Sequence, residues 1–183
     1  LTNYREPNAA KGALSRGHLV AEFLKGTDEP LAYVQQLATQ AEQYSGFNVL
    51  VGHRQQAAVL SNRGTPPQEL TAGIYGLSNQ LLDSPWPKTQ RLKAGLAKLL
   101  AQQQINIEQA LSLLQDQTQP LDEELPDTGV GLVWERLLAT AFIKSPIYGT
   151  RASSVLLLGK KTIQLIEQTW LNGEKGGLKE LGF

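Results

Sequence analysis

Polar side chains recur where apolar runs stop or start. Asn3 follows "LT", Asn62 and Arg63 follow "AAVLS", Ser78 and Asn79 follow "GIYGL", and Thr150 and Arg151 precede "ASSVLLL". Strand ends along one edge of a sheet are where a rigid scaffold can present side chains to a pocket. A carboxamide there donates N–H groups without a change of charge. Aimed at a developing oxyanion, each such donor can contribute about 3 kcal/mol. An arginine can hold a carboxylate or keep a nearby nucleophile ionised. The same residues can instead cap turns, which asparagine does routinely. Both readings stand on these residues alone. Trp86, between Pro85 and Pro87, either lines a pocket or staples the opening of a helix. Tyr148, before Gly149, either lines a pocket or fills space beside a tight turn.

Other chemistries find little support. The chain has no cysteine, which rules out disulfides, thiolate metal sites and a cysteine nucleophile within these residues. Its two histidines, His18 and His53, do not make a histidine-rich metal site. The acids of "DQTQPLDEELPDTGVG" lack the spacing of a cation-binding loop and read as a solvated connection. Gly159-Lys160 lacks the upstream glycines of a phosphate loop, and no Gly-x-Ser-x-Gly elbow occurs. No metal and no cofactor is expected. Lys and Arg number 17, as do Asp and Glu, so no basic excess points to nucleic acid. No apolar run approaches the ~20 residues that cross a bilayer, so no membrane partner is expected. The partner expected is a small-molecule ligand or substrate. Short loops and many glutamines suit a cytoplasmic location.

The elements that must carry these residues follow from periodicity. "LTNYREP" reads as a strand end running into a proline turn. Ser15 can cap a helix with Leu19, Val20, Phe23 and Leu24 inward, stopped by Gly26. Thr27 or Asp28 can cap a second helix, with Pro30 in its first turn and Leu31, Val34, Leu37, Ala38 and Ala41 inward. The period then changes. Phe47 to Val51 and Ala57 to Leu60 form a hairpin. "TPPQEL" reads as a loop and "AGIYGLSN" as a third strand. Helices are expected from about Pro87 to Gln103, with Leu92, Leu96, Leu99 and Leu100 inward, from Ile107 to Leu114, and over "VWERLLATAFI". "RASSVLLLG" and "TIQLIEQTW" make a hairpin turning at Gly159-Lys160-Lys161, and the Gly- and Lys-rich tail reads as loose.

At 183 residues the chain is long enough for a real core and reads as one domain. Tight turns between neighbouring strands favour antiparallel pairing. Helices come in blocks rather than in strict alternation with strands, which argues against a doubly wound parallel sheet. The class expected is α+β, with helices outside antiparallel sheets.

Eight stretches, in order, resemble the NRDE proteins, also called the transport and Golgi organisation protein 2 family. They are "LTNYREP", "SRGHLV", "YSGFNVLVG", "SNRG", "GIYGLSNQLLDSPWPK", "LPDTGVG", "WERLLATAFI" and "YGTRASSVLLL", and they reach to about Trp170. The resemblance implies a four-layer αββα sandwich of antiparallel sheets, like that of the N-terminal-nucleophile hydrolases. The family normally opens with some tens of residues before the "LTNY" strand. These carry a cysteine after the initiator methionine and the Asn-Arg-Asp-Glu motif. Neither is present here, so the resemblance implies a single domain over 1–183 that lacks its amino-terminal strands.

In such enzymes the first residue's side chain attacks a carbonyl while its α-amine handles the proton. Leu1 offers no nucleophile, so the chain by itself is expected not to catalyse. By similarity to the cysteine-nucleophile amidases, Asn3 and Asn79 resemble the amides of the oxyanion region, and Arg151 the arginine beside the nucleophile. Asn62, Arg63, Ser78, Trp86 and Tyr148 are expected around the pocket. The resemblance thus implies hydrolysis of a C–N amide bond by the full-length parent. The alternative it implies is binding or trafficking of a small molecule in the same pocket, haem among the candidates.

Overall fold

The structure, a computed structural model, describes residues 1–7, 12–64, 66–102 and 105–182. It is mixed α+β, with two antiparallel sheets in two compact units. The first unit takes in Leu1–Ser84 with Thr128–Val130, the second Pro85–Asp127 with Gly131–Phe183.

In the first unit, β1 (Thr2–Asn3), β2 (Phe47–Gly52), β3 (Ala57–Ser61) and β4 (Gln68–Glu69) pair in that order, all antiparallel. Alternation along β2 turns Phe47, Val49 and Val51 to one face, where Ala58 and Leu60 of β3 join them. Two helices cover that face, α1 (Gly17–Lys25) and α2 (Pro30–Ala38). They contribute Leu19, Tyr33, Val34 and Leu37 to the same core. Each such side chain, fully buried, stabilises by about 1.5–3 kcal/mol. Phe47 meets Tyr44 edge to face, with centroids 5.8 Å apart.

The hairpin and both helices follow the sequence pattern, and several details differ. Leu24 is 75% exposed, because α1 seats Leu19 and Phe23, one turn apart, and turns Leu24 aside. No side chain caps α1 or α2, and Pro30 pre-sets the first turn of α2 instead. "AGIYGLSN" is not a strand. Asp83 ties it into a loop: the Gly76 N–H donates to Asp83 Oδ1 at 2.7 Å, and the Asp83 N–H to Gly76 O at 2.8 Å. The third partner in the sheet comes from within "TPPQEL", expected as loop, where Gln68–Glu69 pairs with β3. Two residues show no periodicity to read.

In the second unit, β5 (Ala152–Leu158), β6 (Ile163–Leu171) and β7 (Glu174–Gly182) form a three-stranded antiparallel sheet. Ser153, Ile166, Gln168 and Trp170 are buried on one face, where Trp170 meets Phe142 edge to face at 4.8 Å. Helices α3 (Pro87–Leu100), α4 (Ile107–Leu113) and α5 (Leu132–Leu137) belong to this unit. The Asn106 side chain caps α4, accepting from the Gln109 N–H at 3.0 Å.

The inward stripe of α3 is shifted from the one expected: Leu99 is buried, but Leu96 and Leu100 are exposed. A Cβ on Gly95 would stand 2.5 Å from the Leu113 side chain, so α4 approaches over the glycine rather than over leucines. The expected end at Gln103 lies outside the described residues. The "VWERLLATAFI" helix stops at Leu137.

The tail is not loose. Asn172 and Gly173 both take positive φ, 52° and 80°, as a tight two-residue hairpin turn between β6 and β7 requires. Farther along, the register passes from Gln168↔Leu178 to Trp170↔Lys175, so Gly176 and Gly177 together face Thr169. A Cβ on Gly176 would stand 2.6 Å from Thr169 Oγ1, so this bulge needs its glycine. Among the described residues, no helix is long and apolar enough to cross a membrane.

Candidate functional site

Several of the expected residues gather at one end of the first unit's sheet. β1 ends at Asn3, opposite Phe47, where β2 begins. Asn62 lies just past the end of β3, and its N–H donates to Phe47 O at 3.2 Å. Asn79 comes from the loop after β4, yet its Nδ2 donates to Asn3 O at 3.0 Å and its own carbonyl accepts from the Arg5 N–H at 2.7 Å. Ser78 is placed beside it through its backbone carbonyl, which accepts from Thr2 Oγ1 at 2.7 Å.

Asn62 and Arg63 spend their side chains on the fold. Asn62 Oδ1 accepts from the Phe47 N–H at 2.8 Å, and its Nδ2 donates to Ala41 O at 2.9 Å and Tyr44 O at 3.2 Å. That is the turn-capping role. Arg63 grips Glu6 with two parallel bonds of 2.8 and 2.9 Å. The hydrogen bonds from Arg63 hold the Glu6 carboxyl below its ordinary value, against a smaller opposing effect of burial, and raise Arg63 in return. Asn62 and Arg63 line an open groove of about 450 Å³, together with Glu42, Leu60, Pro66 and Pro67. The pair leaves the guanidinium neutralised, so the groove offers no unpaired arginine.

Asn3 and Asn79 differ from these two. Among the described residues, the exposed Asn3 side chain has no hydrogen-bond partner. Asn79 commits one N–H and keeps the other. Such groups have capacity left for a ligand.

The other expected residues lie in the second unit. Arg151 immediately precedes β5, its carbonyl accepting from the Trp170 N–H at 2.8 Å. Its guanidinium is exposed and unpaired among the described residues. Trp86 is buried at the N-cap of α3, before Pro87, with the Lys88 ammonium 5.6 Å from its ring centre. The Tyr148 ring is exposed, while its backbone N–H and carbonyl both bond the Ser145 hydroxyl. Among the described residues, no group of three or more His, Cys, Asp or Glu could hold a metal ion.

One residue of the site escaped the sequence reading. Asn48, inside the apolar run "GFNVLVG", is 0% exposed, and its Nδ2 reaches Thr2 Oγ1, Ser78 O and Gln80 O. A carboxamide in the middle of a strand that should be apolar is the signal that could have found it.

A model of the family described as Transport and Golgi organisation 2 matches residues 1–172. The chain is similar to the Transport and Golgi organization 2 homolog of Mus musculus, with 31% identity over 172 residues, covering 86% of this chain and 62% of that protein. It is also similar to the Transport and Golgi organization protein 2 homologs of Homo sapiens, 32% identical over 172 residues, and Bos taurus, 30% identical over 176, with the same shares covered. The chain therefore spans 62% of the length of the curated relatives it matches.

Proposed function

The chain belongs to the Transport and Golgi organisation 2 family, and from that premise we propose that the full-length protein is an amidohydrolase acting on a C–N amide bond. The nucleophile is a cysteine of the family's opening segment, outside these residues. Its thiolate attacks the amide carbonyl, its α-ammonium protonates the leaving amine as the C–N bond breaks, and water then cleaves the thioester to return the thiol and release the acid. Asn3 and Asn79 donate N–H bonds to the oxyanion; the role of Arg151, which belongs to the second unit, rests on the resemblance alone. The reading carries with it the four-layer αββα sandwich of the N-terminal-nucleophile hydrolases, a small-molecule substrate and a cytoplasmic location.

The observation that supports it is a division of labour. Asn62 binds backbone groups of Phe47, Ala41 and Tyr44 and Arg63 is held by Glu6, whereas among the described residues the Asn3 and Arg151 side chains have no hydrogen-bond partner and Asn79 Nδ2 makes one bond. The test is labelling of the full-length protein with a thiol-directed acylating probe. Acylation of one cysteine, slowed by Asn79→Ala and by Arg151→Ala, is the expected result. No labelling, or labelling that neither substitution slows, overturns it.

A second reading draws on the relatives' names, which speak of transport for those proteins. In it the same residues hold a small molecule without cleaving it. Haem titration of the full-length protein separates the two: a saturable Soret shift with no acylation supports carriage, and a shift that grows without saturating counts against it.

A further inference from the structure

The residues at the end of the first unit's sheet stand on slender structure. β1 has two residues, and residues 78–80 belong to no strand or helix. Yet Asn79 is seated on Asn3 at hydrogen-bond distance. We propose that Asn48 is the positioning residue of the Asn3–Asn79 pair, acting through Thr2, Ser78 and Gln80. The inference rests on the proposed function for its chemical meaning, and its geometry can be tested apart from it.

β2 gives Asn48 a fixed origin, since Thr2 pairs with it on one side and Ser61 on the other. From there Nδ2 donates to Gln80 O at 2.9 Å and Thr2 Oγ1 at 3.0 Å, with Ser78 O at 3.4 Å. The Thr2 hydroxyl in turn donates to Ser78 O at 2.7 Å. One nitrogen thus ties β1 and the 78–80 segment to the central strand. A carboxylate at this position would set an anionic oxygen against three oxygen acceptors. An aliphatic side chain would leave the carbonyls unanswered.

The other half of the amide sharpens the case. Asn48 Oδ1 is buried and has no partner among the described residues. Burying an unpaired acceptor destabilises a fold. A position filled for packing alone would avoid that cost with an aliphatic residue, as Val49 and Val51 do on the same strand. A core residue that breaks the local rule this way points to a functional constraint. Here the constraint is the need for its N–H groups.

The test is amide hydrogen exchange by NMR on the full-length protein, read at Arg5, whose N–H reports the seat of Asn79. Asn48→Asp keeps shape and removes both donors. The expected result is exchange at Arg5 faster by about tenfold, the loss of one hydrogen bond of ordinary net strength, with Val49 and Leu60 unchanged. Thr2→Val removes the hydroxyl link without touching β2 and is expected to act in the same selective way. It also decides the matter if Asn48→Asp unfolds the protein. Arg5 equally protected in Thr2→Val and in any folded Asn48→Asp overturns the proposal. Probe acylation is read in parallel. Selective exchange without acylation sustains the positioning role and removes the amidohydrolase; acylation with unchanged exchange does the reverse.

Discussion

Asn79 Nδ2 donates to the backbone carbonyl of Asn3 at 3.0 Å across 76 positions of sequence. The bond joins a two-residue strand to a loop without regular structure, so it has local consequences that are separable from global stability. Asn79→Ala removes one exposed hydrogen bond, and the expected loss of stability is about 0.5–1.5 kcal/mol by urea denaturation. Under the amidohydrolase reading, acylation of the full-length protein by the probe falls much further, by about 100-fold or more, as for loss of an oxyanion donor.

Asn62 predicts the opposite balance. Its side chain meets Phe47 N–H with one end and carbonyls of residues 41 and 44 with the other. Asn62→Ala leaves these groups unanswered, and about 2–3 kcal/mol of stability is expected to go. The check is a lower urea midpoint at unchanged slope. Arg151→Ala, at an exposed side chain with no partner among the described residues, is expected to change stability by less than about 0.5 kcal/mol.

The Glu6–Arg63 pair sets a pH dependence. Hydrogen bonds from Arg63 lower the Glu6 carboxyl in the folded state. A depressed folded value means that the pair's contribution is complete above the unfolded value of about 4.3 and is lost as pH falls through the folded one. Glu6→Gln is expected to lower the urea midpoint at neutral pH and to narrow the difference from wild type as pH drops below about 4. Asp116 and Asp122 are also lowered, so the difference between the two proteins is the quantity to follow. For Asp116, burial opposes the lowering, which the Thr118 hydroxyl and Arg91 produce. For Asp122, the hydrogen bond from Arg136 is the main cause.

The β6–β7 turn can be tested by position. Gly173→Ala places a Cβ at φ 80°, and 2.5 Å from the Lys144 side chain, which can yield. The expected cost is about 1 kcal/mol from the backbone alone. Hydrogen exchange is expected to quicken along β7 and to hold along β5, because β5 pairs with β6 through seven register positions on the far side.

Long, periodic elements were legible before any coordinates. The hairpin of β2 and β3, the helices α2 and α4, and the hairpin of β5 and β6 all follow from spacing of apolar residues. Two failures have a common cause. β7 carries Gly176 and Gly177, which depress strand propensity and read as slack, although Asn172-Gly173 was a turn signal in plain view. The leucine spacing predicts the inward stripe of α3, whereas its contact with α4 runs over Gly95. A missing side chain marks close approach, and apolar counting does not see it. The family resemblance, carried by eight motifs, matches the family found over residues 1–172. The Asn3–Asn79 bond is not legible in the sequence, since which strand carbonyl a loop amide reaches depends on the path of the chain and not on residue type. The roles proposed for Asn3, Asn79 and Arg151 rest on the resemblance.

The paired glycines that interrupt the register of β7 bear on how copies of this protein behave in concentrated solution. Among the described residues no strand lies against the outer side of β7, and straight open margins of that kind act as templates on which other chains stack. An extra residue in the ladder bends the margin and spoils its spacing, and Lys175 and Lys179 bring like charges wherever a second copy would lie in parallel. The bulge at Gly176 and Gly177 thus makes this margin a poor template for a second copy.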